Sequence, residues 1–223
     1  MNICALVPAW NEDATIERVV TEVRPHVQAV VVVDDGSTDG TAARAERAGA
    51  RVIRHQRNMG KGHALRTGIA AILTEPFTHV LFLDGDLQHA PGDAPKLIAA
   101  ARTPGVDVVL GERPFTREAM PLSRYYSNTI GSAILSRFIG VTVGDSQSGY
   151  RLIATDVLRQ ITLTARGYEV ETEMLIKLAG AGARIARVPV QLSYEGAKSK
   201  LRPVRDTTKT CFLAVHYRFL SRH

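Results

Sequence analysis

The sequence predicts an α/β protein with a mostly parallel central sheet and flanking helices. Three observations carry that prediction. Short apolar runs alternate with helix-period stretches from Ile3 to Leu110. The runs are continuously apolar, as in Val30 to Val33, which suits parallel strands covered on both faces. Polar turns containing glycine, Asp or Asn follow several of the runs.

In chain order, Ile3 to Pro8 reads as a buried strand. Ala14, Ile16, Val19, Val20 and Val23 recur at helical spacing until Pro25 ends the helix. Ala29 to Val33 is the second strand. A helix over 40–48 and a third strand over 51–54 follow. Residues 61–73 form a helix with Leu65, Ile69, Ile72 and Leu73 on its apolar face. The fourth strand is 80–83. A helix begins near Pro91, and 107–110 is the fifth strand. Beyond this point the pattern is less regular. Tyr125, Tyr126, Ile130, Ile134, Leu135 and Phe138 mark a long helix, and 150–154 reads as a strand. Residues 171–181 are helical and 184–194 extended, with Pro189 suited to an edge. A polar loop over 195–203 and a final helix over 206–220 complete the chain.

The 223 residues suit one domain, with 1–111 and 112–223 as its two halves. A 45% hydrophobic and 22% charged composition is that of a soluble globular protein. Cys4 and Cys211 read as buried free thiols, which fits a reducing, cytoplasmic location. No leader and no bilayer-spanning run is visible. The net charge is +6, and residues 198–223 set Lys198, Lys200, Arg202, Arg205, Lys209, Arg218 and Arg222 against one carboxylate, Asp206. That imbalance calls for an anionic partner. With 6% aromatic residues and no aromatic–basic interleaving, nucleic acid is excluded.

Four polar loops follow four predicted strands: Pro8-Ala9-Trp10-Asn11-Glu12, Asp34 to Asp39, Asn58-Met59-Gly60-Lys61-Gly62, and Asp84-Gly85-Asp86-Leu87-Gln88-His89. Ligands in an α/β sheet bind beyond the carboxyl ends of strands, so these loops are expected to share one cleft. Asp84 and Asp86 follow a hydrophobic run and suit a divalent cation bridged to substrate phosphates. Gln88 adds a hydrogen-bonding group, and His89 reads first as a polar loop residue. Asp35 suits a base N–H or a ribose hydroxyl. Lys61 and the amides around it suit phosphate, although the segment is neither a P-loop nor a dinucleotide fingerprint.

These loops, in this order, resemble family 2 glycosyltransferases, and specifically their dolichyl-phosphate or polyprenyl-phosphate sugar synthase branch. Pro8-Ala9-Trp10-Asn11-Glu12 resembles the opening donor loop, in which tyrosine is commoner than Trp10. Val33-Asp34-Asp35-Gly36-Ser37 resembles the base-recognition loop. Asp84-Gly85-Asp86 resembles the metal loop, and Asp145-Ser146-Gln147-Ser148-Gly149-Tyr150-Arg151 the acceptor-side motif.

The resemblance implies a GT-A fold, Mg²⁺ or Mn²⁺, a nucleotide-sugar donor and inversion at the anomeric carbon. It implies Pro8, Ala9, Asn11, Glu12, Asp35, Asp84 and Gln88 at the donor, beside Lys61 as read above, with Asp86 and Gln88 on the metal. It implies Arg113, Arg124 and Arg151 at an acceptor phosphate, together with Ser199, Lys200 and Arg202 of a C-terminal substrate loop. Asp145 is the first candidate for a base if the acceptor is an alcohol.

The preferred acceptor on this reading is polyprenyl phosphate. The final helix, with Phe212, Val215, Phe219 and Leu220 beside Lys209, Arg218 and Arg222, then suits peripheral contact at the cytoplasmic face of a membrane. Packing of that stripe on its own domain, or on a second subunit in a homo-oligomer, is the competing reading. A soluble, protein or glycan acceptor is the rival within the class. A sugar-1-phosphate nucleotidyltransferase and a noncatalytic nucleotide-sugar sensor are rivals outside it.

Overall fold

The computed structural model describes residues 1–113, 129, 131–137, 140–145 and 148–191. The strands are β1 (Ile3–Ala9), β2 (Ala29–Asp34), β3 (Arg51–Arg54), β4 (His79–Phe82), β5 (Val108–Glu112), β6 (Arg151–Ala154) and β7 (Ile185–Pro189). The helices are α1 (Ile16–Val23), α2 (Thr41–Arg47), α3 (Lys61–Ile72), α4 (Ala94–Ala101), α5 (131–137), α6 (Thr155–Leu158) and α7 (Val170–Gly180).

All seven strands form one sheet in the order β3-β2-β1-β4-β6-β5-β7. β3, β2, β1 and β4 pair in parallel, as do β5 and β7; β6 alone runs antiparallel to both its neighbours. Because β6 is reversed, its first residue, Arg151, pairs with Phe82 at the end of β4 and with Leu110 in β5. The turn entering β6 therefore lies on the same sheet edge as the loops leaving β1, β2, β4 and β5.

The alternating side chains of the strands feed two cores. On one face Cys4, Leu6, Val31, Val33, Val80, Phe82 and Ile153 pack with Leu65 and Ile72 of α3 and Met174, Leu175 and Leu178 of α7. On the other, Ile3, Ala5, Val7, Val30, Val32, Leu81 and Leu152 pack with Ile16, Val19, Val20 and Val23 of α1 and Leu97 of α4. Each fully buried side chain of this kind contributes roughly 1.5–3 kcal/mol relative to exposure. Cys4 belongs to the first core, and burial pushes its thiol up to about 12, so it is inert.

The predicted three-layer architecture is present, and each described strand lies within a few residues of its expected position. Pro189 ends the edge strand β7, opposite Glu112, where its missing N–H is tolerated. Of the long helix expected around 125–138, residues 131–137 are helical. Arg124, Ser199, Lys200, Arg202 and the final helix over 206–220 lie outside the described residues.

Candidate active site

At the loop edge of the sheet lies a cavity of about 240 Å³. Pro8, Ala9, Glu12, Asp35, Lys61, Asp84, Asp86, Gln88 and Arg113 all line it. The sequence-distant turns thus converge as expected. Asn11 does not line the cavity; it stitches two loops together. Its N–H donates to Ser37 Oγ at 2.9 Å, and its Oδ1 accepts from the Thr38 amide at 2.9 Å. Asn11 (φ 52°) and Leu87 (φ 58°) are the left-handed residues other than glycine among those described, and each lies in a cavity loop. Such backbone strain gathers where a site is held in one shape.

Asp35 is buried and heavily used. Its carboxylate accepts from the Met59 amide at 3.0 Å and the Gly60 amide at 2.8 Å, and it faces His55 Nδ1 at 2.7 Å. The Gly62 amide donates to Arg166 O at 2.9 Å. The Met59, Gly60 and Gly62 amides are therefore spent within the protein. The glycines there serve close packing: a Cβ on Gly62 would stand 2.2 Å from Ala165 O. Lys61 differs in the same sense. Its ammonium bridges Asp84 Oδ1 at 2.5 Å and Glu171 Oε1 at 2.6 Å, with the Tyr168 ring 5.6 Å away. Burial opposes that charge, but Asp84 and Glu171 overcome it and raise the lysine pKa.

The paired aspartates have unlike environments. Burial alone would raise the Asp84 carboxyl, but Lys61, His89 and Arg113 bring it below the usual range. Burial and the neighbouring Asp84 charge push Asp86 up to about 6. Asp86 has no ion-pair partner among the described residues; Oδ1 accepts only the Gln88 amide, at 3.0 Å. It is the anion of the pair that lacks a cation. No three His, Cys, Asp or Glu side chains among the described residues group closely enough to hold a metal unaided. One carboxylate, an amide oxygen and substrate phosphates make the usual Mg²⁺ or Mn²⁺ donor set, so Asp86 and Gln88 fit such an ion.

On the acceptor side two of the expected residues are buried. Asp145 is 1% exposed and holds Arg113 in a two-point clamp, at 2.5 and 3.0 Å. It does not line the cavity, and its carboxylate is engaged by Arg113. Arg151 is 2% exposed, with its guanidinium on Ser148 O at 2.8 Å and Glu171 O at 2.7 Å. These contacts brace the turn from within. Gly149 explains the small residue in this motif: a Cβ there would stand 2.5 Å from Asp84 Oδ2.

Sequence reasoning missed Glu171 and Tyr168, which line the cavity from the start of α7 and the loop before it. Burial and Asp84 raise the Glu171 carboxyl against the pull of Lys61. Neither residue sits in a motif. Only a glutamate in the first turn of a helix hinted at one of them.

A sheet edge that gathers two aspartates, a buried lysine and a clamped arginine suits a metal-dependent transferase with a phosphorylated donor. The chain belongs to glycosyl transferase family 2, which residues 4–162 match. It is 36% identical over 211 residues to glycosyltransferase AglJ of Haloferax volcanii, covering 92% of this chain and 68% of that protein. It is 30% identical to an undecaprenyl-phosphate mannosyltransferase of Micrococcus luteus, covering 85% and 87%.

Among solved structures, it is similar to glucosyl-3-phosphoglycerate synthase of Mycobacterium tuberculosis with Mn²⁺, UDP and phosphoglyceric acid. The TM-score is 0.77 at 26% identity, covering 97% of this chain and 78% of that one. The same enzyme with Mn²⁺, UDP-glucose and phosphoglyceric acid gives 0.74 at 26%, covering 97% and 79%. The expected divalent cation and nucleotide-sugar donor are thus present in that relative. The expected preference for polyprenyl phosphate is corrected by it: what accompanies the donor there is a small soluble phosphorylated acid. Among the described residues, no helix is long and apolar enough to cross a membrane.

Proposed function

We propose that this glycosyltransferase moves a sugar from a UDP-sugar to a soluble phosphorylated acceptor with the help of Mn²⁺ or Mg²⁺. The observation that carries this reading is a single cavity with two poles. Asp84 and Asp86 stand at the end of β4, and Arg113, clamped by Asp145, stands just past β5. The UDP-glucose and phosphoglyceric acid held by the structural relative support the same pairing.

On this reading residues 1–111 supply most of the donor contacts and the later residues most of the acceptor contacts. Asp35 and the 8–12 loop frame the nucleoside. Asp84, kept ionised by Lys61, accepts a hydrogen bond from a donor hydroxyl. Asp86 and Gln88 hold the cation, which when bound neutralises charge on the departing diphosphate. Arg113 arrives pre-oriented, and its planar guanidinium pairs with an acceptor phosphate by two parallel hydrogen bonds. An alcohol acceptor must lose a proton. Glu171 is the cavity carboxylate suited to take it, since its raised pKa makes it a stronger base than a solvent-exposed glutamate.

The test is UDP-glucose with Mn²⁺, assayed with and without phosphoglyceric acid. UDP and a glucosylated acid are expected in equal amounts, and chelation should stop both. Turnover of a polyprenyl phosphate but of no soluble phosphate would overturn the acceptor assignment. Release of pyrophosphate from UTP and a sugar 1-phosphate would overturn the reaction class.

A further inference from the structure

His89 is a polar residue of the cavity wall that the donor chemistry leaves unused. It is 5% exposed. Its Nε2 lies 3.2 Å from Ser148 Oγ, and its ring lies 5.7 Å from that of Tyr150, whose hydroxyl is tied to Pro91 O at 3.0 Å. The imidazole is therefore held by its neighbours, yet Nδ1 is buried without a hydrogen-bond partner among the described residues. Buried polar atoms are nearly always paired, so an orphan on a cavity wall points to a ligand.

One tautomer makes that atom a donor. Ser148 Oγ accepts from the Tyr150 amide at 3.3 Å and carries a proton it can give to Nε2. Nε2 is then the acceptor nitrogen of a neutral ring, and Nδ1 carries the proton. The surroundings fix what would take it. Arg113 and Lys61 both act on this ring as cations, while Asp84 and Asp145, the nearby anions, are each already paired with one of them. Another cation is disfavoured here. An anionic oxygen satisfies the N–H and is drawn by the guanidinium charge.

We propose that His89 binds the acceptor, its Nδ1–H donating a hydrogen bond to an anionic oxygen beside the Arg113 guanidinium. The proposal rests on the reading of this cavity as the site of a soluble phosphorylated acceptor, and adds a specificity-determining residue to it. The role is one of recognition. His89 distinguishes an acceptor that presents an anionic oxygen at this depth from a neutral alcohol.

Two substitutions separate binding from packing. An asparagine amide nitrogen falls near Nδ1, whereas a glutamine amide reaches the place of Nε2. His89→Asn keeps the proposed donor and gives up the Ser148 contact; His89→Gln does the reverse. The readouts are the KM for phosphoglyceric acid and the Kd for UDP with Mn²⁺. His89→Gln is expected to raise the acceptor KM roughly ten- to a hundredfold, the loss typical of a hydrogen bond to a charged group. His89→Asn should stay close to wild type in acceptor KM, and both should keep the wild-type Kd for UDP. A damaged Asn variant beside a normal Gln variant overturns the proposal in favour of a Ser148-packing role. Equal damage in both, with UDP binding weakened as well, overturns it in favour of a purely structural one. A wild-type enzyme that uses no soluble phosphorylated acceptor sinks the functional reading itself, and this proposal with it.

Discussion

At the scale of single residues, the aspartates of Asp84-Gly85-Asp86 divide their work because only one has an internal cation. Lys61 neutralises Asp84, and Asp86 is left to face both burial and that neighbouring charge. The folded-state pKa of Asp86, about 6, lies above the ordinary carboxyl value of 3.8. Between those values the folded chain binds a proton that the unfolded chain does not. Stability therefore falls as pH rises through this window, and the strain is fully present above about 6. Asp86→Asn removes it. In the presence of a chelator the variant should be more stable than wild type at pH 8, by up to roughly 3 kcal/mol. The gap should close as pH falls towards 3.8. Denaturant melts across pH measure this, and equal stability at pH 8 would refute it. The same variant should lose at least roughly a hundredfold in transfer, since a bound cation supplies several kcal/mol to the leaving group.

At the scale of elements, the least legible part of the site is the loop before α7. Gly60-Lys61-Gly62 resembles a phosphate turn in sequence, because small residues before a helix usually free its amides. Here the glycines admit the backbone of Ala165 and Arg166 instead, and no local pattern announces a partner a hundred residues away. That loop is anchored from within α7. Glu173 is fully buried and accepts from the Thr164 amide at 2.9 Å, the Ala165 amide at 2.8 Å and the Thr164 hydroxyl at 2.6 Å, with Lys177 paired to it at 2.8 Å. Burial opposes its charge, but these partners win and bring the carboxyl down to about 2. A depressed pKa stabilises the fold above the unfolded value of 4.5, and the benefit is lost as pH falls towards 2. Glu173→Gln should destabilise the protein at pH 7 by roughly 2–3 kcal/mol. Its deficit against wild type should shrink between pH 4.5 and 2. Because the loop carries Tyr168 to the cavity, the KM for UDP-glucose should rise as well. A variant as stable as wild type at pH 7 would show that the loop is held some other way.

At the scale of the whole molecule, the donor loops were readable because each follows a parallel strand, and parallel strands deliver their carboxyl ends to one edge. The reversed β6 breaks that rule and hides the acceptor side. Its turn reaches the site from the amino end of a strand, so Asp145 and Arg151 look like surface chemistry in the sequence while lying beneath it in the fold. Glu171 and Tyr168 arrive from yet another element, with no motif to mark them. The cavity is consequently assembled from pieces that only the complete sheet brings together, and its ligands should report on global stability. A ligand that binds only the folded chain adds roughly 2.7 kcal/mol at a hundredfold excess over its Kd. For a chain of this length each kcal/mol moves Tm by about 2–4 °C. UDP with Mn²⁺ should therefore raise Tm by about 5–10 °C. UDP with chelator, or Mn²⁺ without nucleotide, should raise it far less, because Asp86 and Gln88 alone supply too few oxygens to hold the ion and need the diphosphate to complete its shell. In Asp86→Asn the joint effect should disappear. If UDP stabilised that variant as much as wild type, with Mn²⁺ making no difference to either, the cation would have no place between Asp86 and the diphosphate.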